Sequence, residues 1–352
     1  MKLYSYSFLR NITIPVNFLN ITNSIYTLRS IANDKKHNYP DLFTALKKIA
    51  LVQSVKSSNA IEGIVTTDKR IEDIINRSSA PLNHNEQEIA GYRDALDMIH
   101  THYEALSVNE ETIQELHRIL FSQTDSGFSG KYKSENNIIR ELGADGISLV
   151  RWTPVSAQDT PEAMKELIYA YIDARDDASI NQLLLIPCFV LDFLCIHPFR
   201  DGNGRMSRLL SLLLLYKAGF DVSMYVSFEE QINNMKASYY ESLKQSSIGW
   251  HENANSYIPF MENFLYTLYL CYKELDRRFL TLGSNKVSKK QRVEQTVLSA
   301  IIPISKKEIM DILPDVSMTT VEQILGDMIR DGRIKRIGTT RKARYMKNNL
   351  SS

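Results

Sequence analysis

A chain of 352 residues with 43% apolar and 24% charged residues has the material for two or three globular domains, which excludes disorder over most of its length. The longest apolar runs, Leu183 to Ile196 (interrupted by Asp192) and Leu209 to Tyr216, fall short of the ~20 residues a bilayer span requires, so no membrane crossing is expected. Formal net charge is only +1, yet residues 286–347 hold fourteen Lys/Arg against seven Asp/Glu, a net +7 that leaves about −6 for the rest.

In chain order, Met1 to Pro15 lacks the continuous apolar stretch of a secretory signal, and a cytoplasmic location is the expectation. Residues 1–45 mix β-branched residues and turn formers with a later helical stretch and are read as an N-terminal cap. From Asp41 the apolar residues Leu42, Leu46, Ile49, Ala50, Val52 and Val55 recur at helical spacing until Gly63, a helix stop. Helices are expected over Asn85–Leu106 and residues 109–122. A Gly/Ser-rich stretch, Asp125–Gly130, then opens strand-like pieces through Pro154, with a hairpin turn marked by Gly143 and Gly146.

Helices resume over Pro161–Arg175 and Asn181–Ile196, break at His197-Pro198, restart for Arg205–Ala218 and recur between Tyr239 and Leu280. Gly283, Ser284 and Asn285 read as a linker. Three short helices (Gln291–Ile302, Lys306–Leu313, Met318–Arg330) and two strands (Arg333–Ile337, Ala343–Lys347) follow, the order of a winged helix-turn-helix over about 286–350. Cys188, Cys195 and Cys271, an odd number without a C-x-x-C pair, are expected to be core thiols. His117 on an amphipathic helix reads as a satisfied structural histidine, and His100 and His102 as surface residues.

Chemistry concentrates in His197-Pro198-Phe199-Arg200-Asp201-Gly202-Asn203-Gly204-Arg205-Met206-Ser207-Arg208, set between two apolar helices. Pro198 ends the first helix and leaves His197 at its terminus; Gly202 and Gly204 let backbone approach a ligand at the start of the next, where free N–H groups bind anions. Arg205 and Arg208, three apart, oppose the helix dipole there unless a polyphosphate takes both guanidinium forks. Asp201 is placed as a Mg²⁺ ligand, because magnesium usually takes one or two carboxylates plus phosphate oxygens, and His197 as a general base. No dinucleotide fingerprint or P-loop is present.

These twelve residues match the motif H-P-F-x-[DE]-G-N-G-R-x-x-R at every defined position, and through it the chain resembles the Fic family. The resemblance, spanning roughly residues 45–275, implies a mainly α fold: a Fic-type helical core (about 46–280) with a β-hairpin flap near 130–154. It implies a protein adenylyltransferase moving AMP from ATP to a Ser/Thr/Tyr hydroxyl of a target protein. His197 would deprotonate that hydroxyl and Asp201 would hold Mg²⁺ between the α- and β-phosphates. Gly202, Asn203 and Gly204 would form the anion hole, and Arg205 and Arg208 would grip the β- and γ-phosphates.

Upstream, Ser58-x-x-x-Glu62-Gly63 resembles the family's inhibitory motif on a helix near 50–63. Ser58 and Glu62 are one helical turn apart, and a carboxylate at a helix C-terminus lies against the dipole. The resemblance nominates Arg208 as the partner that Glu62 would deny to the γ-phosphate. The flap would dock the target by strand addition, with Ile139, Arg140, Glu141 and Leu142 near the nucleotide and Tyr239-Tyr240 bordering the adenine. Relatives' habit of pairing implies a homodimer.

Two alternatives stay open at this stage. The basic C-terminal module, with Met318–Arg330 as a groove helix and Arg341, Lys342 and Arg344 on the wing, suits a nucleotide-sensing regulator that binds DNA, although such modules also dimerise or dock targets. Within the enzyme class, AMP removal or transfer of UMP or a phosphoryl group would use the same anion cradle.

Overall fold

The computed structural model describes residues 2–142, 148–283, 288–300, 303–313, 316–338 and 343–348. A 3-10 turn (Ser7–Asn11) leads into helices α1 (Val16–Asn38), α2 (Pro40–Ile61), α3 (Asp68–Ile75), α4 (His84–His102) and α5 (Glu110–Leu120). The antiparallel pair β1 (Ile139–Leu142) and β2 (Ser148–Trp152) follows, with Arg140 opposite Val150 and Leu142 opposite Ser148. Next come α6 (Thr160–Arg175), α7 (Gln182–Ile196), α8 (Asn203–Lys217), α9 (Phe228–Asn234), α10 (Lys236–Ser247) and α11 (Ile258–Gly283).

Helix α7 is the axis of the fold because it is apolar all round, and a helix of that kind is stable only when other elements enclose it. Every residue from Leu183 to Ile196 is buried, and α6, α8, α10 and α11 pack around it. Local chemistry sets the helix starts: Asn83, Asn109, Asn181 and Ser227 each accept a hydrogen bond from a backbone N–H in the first turn. Cys188, Cys195 and Cys271 are buried and free.

The buried carboxylate of Asp192 on α7 is satisfied by three donors, Tyr6 Oη (2.8 Å), Trp250 Nε1 (2.6 Å) and Tyr257 Oη (3.0 Å). They tie the first residues of the chain and the α10–α11 loop to the central helix. No helix among the described residues is long and apolar enough to cross a membrane.

The last residues form α12 (Lys289–Ser299), β3 (Ile304–Ser305), α13 (Lys306–Ile312), α14 (Met318–Arg330), β4 (Ile334–Ile337) and β5 (Arg344–Lys347), with the strands ordered β3-β5-β4 and antiparallel. Val293, Val297, Ile309, Val321, Met328 and Ile334 fill their core. This unit rests on the main body through α13 against α2. Arg344 there bridges Glu72 of α3 (2.9 Å) and Glu308 of α13 (3.2 Å).

Several sequence expectations shift. Helix α2 runs unbroken from Pro40, so the boundary drawn at residues 45–46 falls inside a helix, and α1 packs along α11. Helices α3 and α9 and strand β3 are additional, being too short for a periodicity to develop. His100 is buried (6% exposed) with Nε2 3.1 Å from Tyr216 Oη, not a surface residue; the aromatic partner comes from α8, far along the chain. Gly143, Gly146, Ser284, Asn285, Arg341 and Lys342 lie outside the described residues.

Candidate active site

The break between α7 and α8 is built from three local devices. His197 caps α7 in the left-handed region (φ 52°, ψ 61°), and Pro198 cannot continue the helix. A non-glycine residue in that conformation costs roughly 1–2 kcal/mol and persists only where its surroundings enforce it. Gly202, at φ 78°, starts α8, and a Cβ there would lie 2.8 Å from the Phe121 ring. Asn203 closes the loop between them: its Oδ1 accepts from Phe199 N–H (2.9 Å) and its Nδ2 donates to the Phe199 carbonyl (2.8 Å). The Asn203 side chain, expected in the anion hole, shapes the turn through these two bonds.

His117 of α5 braces the loop from below. Its ring stacks on Phe199 at 3.8 Å and 6°, Nε2 donates to the Asp201 carbonyl (3.1 Å), and Nδ1 accepts from Gly130 N–H (2.9 Å). Burial lowers its pKa to about 4, so it stays neutral with both nitrogens engaged. It holds the loop and has no nitrogen to offer a substrate.

His197 is different. Its Nδ1 lies 3.3 Å from the Leu194 carbonyl, which fixes the proton on Nδ1 and leaves the lone pair on Nε2. Burial, opposed by that carbonyl, pushes its pKa down to about 4. The half-buried imidazole is a neutral proton acceptor at physiological pH. The Asp201 carboxylate, 62% exposed, accepts from Gly202 N–H through Oδ1 (2.6 Å) and points its other oxygen to 4.0 Å from Arg205 Nη2.

The two arginines reach different partners. Arg205, 1% exposed, places Nη2 2.6 Å from Glu88 of α4 and lies over the Phe121 ring at 5.1 Å; its Nε and Nη1 have no hydrogen-bond partner. Arg208, 2% exposed, donates through Nε to Ser58 Oγ (2.8 Å) and through Nη2 to the Ser58 carbonyl (2.9 Å) and Glu62 Oε1 (2.8 Å). One guanidinium of the i, i+3 pair thus turns to α4 and the other to α2.

Glu62 sits at the C-cap of α2, followed by Gly63 at φ 80°. The unfavourable end of that dipole is relieved by Lys236, whose Nζ donates to the Ile61 carbonyl (2.6 Å). Burial pushes the Glu62 carboxyl up, but Arg208, with Arg205 and Lys236 farther off, outweighs it and holds it below the usual carboxylate range. The same carboxylate lies on the first turn of α8: a Cβ on Gly204 would be 2.3 Å from Glu62 Oε1. A protein anion therefore occupies a helix N-terminus of the kind that binds phosphates.

Tyr239 of α10 is buried, with its hydroxyl hydrogen-bonded to Ser207, and Tyr240 is half-buried beside it. Arg151 of β2 lies over the Tyr240 ring at 5.3 Å and donates to the Tyr240 carbonyl (3.1 Å). Ile139 is half-buried and Arg140 exposed on β1; the side chains of Glu141 and Leu142 lie outside the described residues. Sequence reasoning missed Glu88, Arg151, Lys236 and Lys133. Of these, Lys133 lies just after the Gly/Ser-rich stretch Asp125–Gly130, in the segment read as the start of the flap.

The Fic/DOC family model matches residues 107–215, which include His117 and the whole His197–Arg208 segment. A protein adenylyltransferase Fic of Nematostella vectensis is 26% identical over 212 residues, 57% of this chain but only 44% of that protein, so the chain spans less than half of that relative's length. A Fido domain-containing protein of Dictyostelium discoideum is 31% identical over 96 residues, a quarter of this chain and 67% of the relative. A Fic family protein from Desulfovibrio desulfuricans shares the fold over 97% of this chain and 98% of its own, at a TM-score of 0.62 and 21% identity. On the motif, the match to the family model and the extent of the Dictyostelium relative, the chain belongs to the Fic/DOC family.

Proposed function

We propose that this chain is a protein adenylyltransferase held in a self-inhibited state by Glu62. The observation that carries the reading is the pairing of an open, neutral His197 Nε2 with an anion-binding turn whose place is taken by the chain's own carboxylate. In the proposed reaction a target hydroxyl gives its proton to His197 Nε2 as its oxygen bonds to the α-phosphorus of ATP. The bond from that phosphorus to the β-phosphate bridging oxygen breaks, and pyrophosphate departs with the electron pair. The N–H groups of the first turn of α8 would face the phosphates, and Arg205, with two unbonded donors, is available to them.

A lone exposed carboxylate such as Asp201 suits a magnesium ion that draws its other ligands from phosphate oxygens and water. Mg²⁺ bound there would neutralise phosphate charge as pyrophosphate leaves. Glu62 opposes all of this by filling the space above Gly204 and engaging Arg208, so a γ-phosphate meets a carboxylate where it needs a guanidinium. The exposed Ile138, Leu149 and Val150 around the hairpin suit a docked target segment.

The experiment is incubation of wild type, Glu62→Gly and His197→Ala with α-labelled ATP, magnesium and cell lysate. Label on protein should depend on His197 and rise in Glu62→Gly; absence of a rise removes the lock, and label independent of His197 removes the mechanism.

The helix, strand, helix, helix, strand, strand order of the C-terminal unit and its +7 charge favour a second reading, a winged helix that binds duplex DNA. The outward Glu322 and Asp327 of α14, paired with Lys306 and Arg330, weigh against that helix as the groove reader. Filter binding to random duplex at moderate salt separates a nucleic-acid module from one that docks protein.

A further inference from the structure

A helix that ends in a buried turn leaves its last carbonyls in need of donors, and at α7 these carbonyls lead directly into His197. His197 itself serves Phe193 and Leu194 and Trp152 Nε1 serves Cys195 (2.9 Å), while one short segment before the hairpin serves Ile196 and the turn that follows it. Lys133 Nζ donates to the carbonyls of Ile196 (3.1 Å) and His197 (3.0 Å), and Lys133 N–H donates to the Pro198 carbonyl (2.9 Å). Asn137 Nδ2 reaches the Phe199 carbonyl (3.3 Å), and Asn137 Oδ1 accepts the third ammonium hydrogen of Lys133 (2.9 Å).

Lys133 is 5% exposed, and no carboxylate faces its Nζ among these contacts. A buried lysine whose three donors all go to neutral oxygens is a costly arrangement, and burial pulls its pKa down to about 8. Its cation gains nothing from an ion pair there. What it achieves is local: it grips the carbonyls on either side of the left-handed His197 backbone, the conformation that decides where the imidazole points.

We infer that Lys133 is a positioning residue for His197, its ammonium enforcing the left-handed turn that aims Nε2 at the anion-binding loop. The inference rests on the transferase reading for its catalytic consequence, though the geometry it concerns can be read without turnover. A merely structural lysine would lower stability when removed and leave the imidazole of the folded fraction as it was.

The test uses the full chain in the Glu62→Gly background with Lys133→Met, which keeps the stem and loses the donors, and Lys133→Arg, which keeps donors. Lys133→Met should lower kcat between about tenfold and a hundredfold with the KM for ATP little changed, and Lys133→Arg should recover part of it. Added methylammonium should partly rescue Lys133→Ala. Imidazole nitrogen NMR should show the His197 proton no longer confined to Nδ1 in Lys133→Met. An unchanged kcat and an unchanged His197 spectrum in folded Lys133→Met would overturn the inference. If Glu62→Gly itself transfers no AMP, the transferase reading fails while the imidazole spectrum still decides the role of Lys133.

Discussion

Replacing Glu62 by glycine should make the resting protein less stable and the nucleotide-bound protein relatively more so. Arg208 would lose the carboxylate 2.8 Å from its Nη2 while remaining 2% exposed. Breaking a fully buried pair by removing one partner costs about 3–5 kcal/mol. Here Glu62 is 31% exposed and Ser58 still accepts twice from the guanidinium, so water and a serine absorb much of that. Relief of the carboxylate from the C-terminal dipole of α2 returns a few tenths. The net loss is about 1–2 kcal/mol, a fall of about 2 °C in Tm for a chain of this size. ATP at a hundred times its Kd restores about 2.7 kcal/mol, an interaction the wild type makes poorly while Glu62 covers Gly204. Thermal-shift curves with and without ATP and magnesium read both effects. A variant as stable as wild type without nucleotide, and shifted no further by it, would refute the claim that one carboxylate serves both as the partner of Arg208 and as the occupant of the phosphate site.

His197→Ala should lower AMP transfer in the Glu62→Gly background by about 10²–10⁴-fold while leaving the ATP-induced thermal shift intact; loss of that shift would assign His197 to binding instead. Asn203→Ala should cost about 1–3 kcal/mol, because it strips the partner from the buried Phe199 N–H, and urea midpoints would measure it. Three histidines, His100 (about 3), His117 (about 4) and His197 (about 4), are held below the ordinary 6.5 by burial. The unfolded chain therefore takes up more protons than the folded one between about pH 6.5 and 4, and these groups lend stability that is full above 6.5 and lost as pH falls through that window. Urea midpoints should drop from pH 7 to pH 5, with a shallower slope in His100→Phe; an unchanged slope would show that His100 is not held neutral. AMP transfer by Glu62→Gly should show no loss near pH 6.5, since His197 is already neutral there.

Much of the candidate site could be read in the chain because its chemistry is local. His197, Asp201, Gly202, Gly204, Arg205 and Arg208 lie within twelve residues, and a proline, two glycines and a helix start mark the break between the two helices. The same holds for Ser58, Glu62 and Gly63, one helical turn closed by a glycine at φ 80°. The helices of the core were legible wherever an apolar face repeats long enough, and became ambiguous in α3, whose eight residues barely exceed two turns.

What the tertiary structure decided are the pairings across long separations. Arg205 pairs with Glu88, 117 residues earlier, while Arg208 pairs with Glu62; the choice depends on α4 and α2 packing beside α8. Lys133 meets the end of α7 from 64 residues away, and His100 is buried because Tyr216 closes over it from 116 residues along the chain. A sequence specifies helix faces, caps and turns through neighbours a few residues apart. Which buried donor meets which carbonyl is settled only when separate faces share one core, since the cost of burying a polar group is felt there and nowhere earlier.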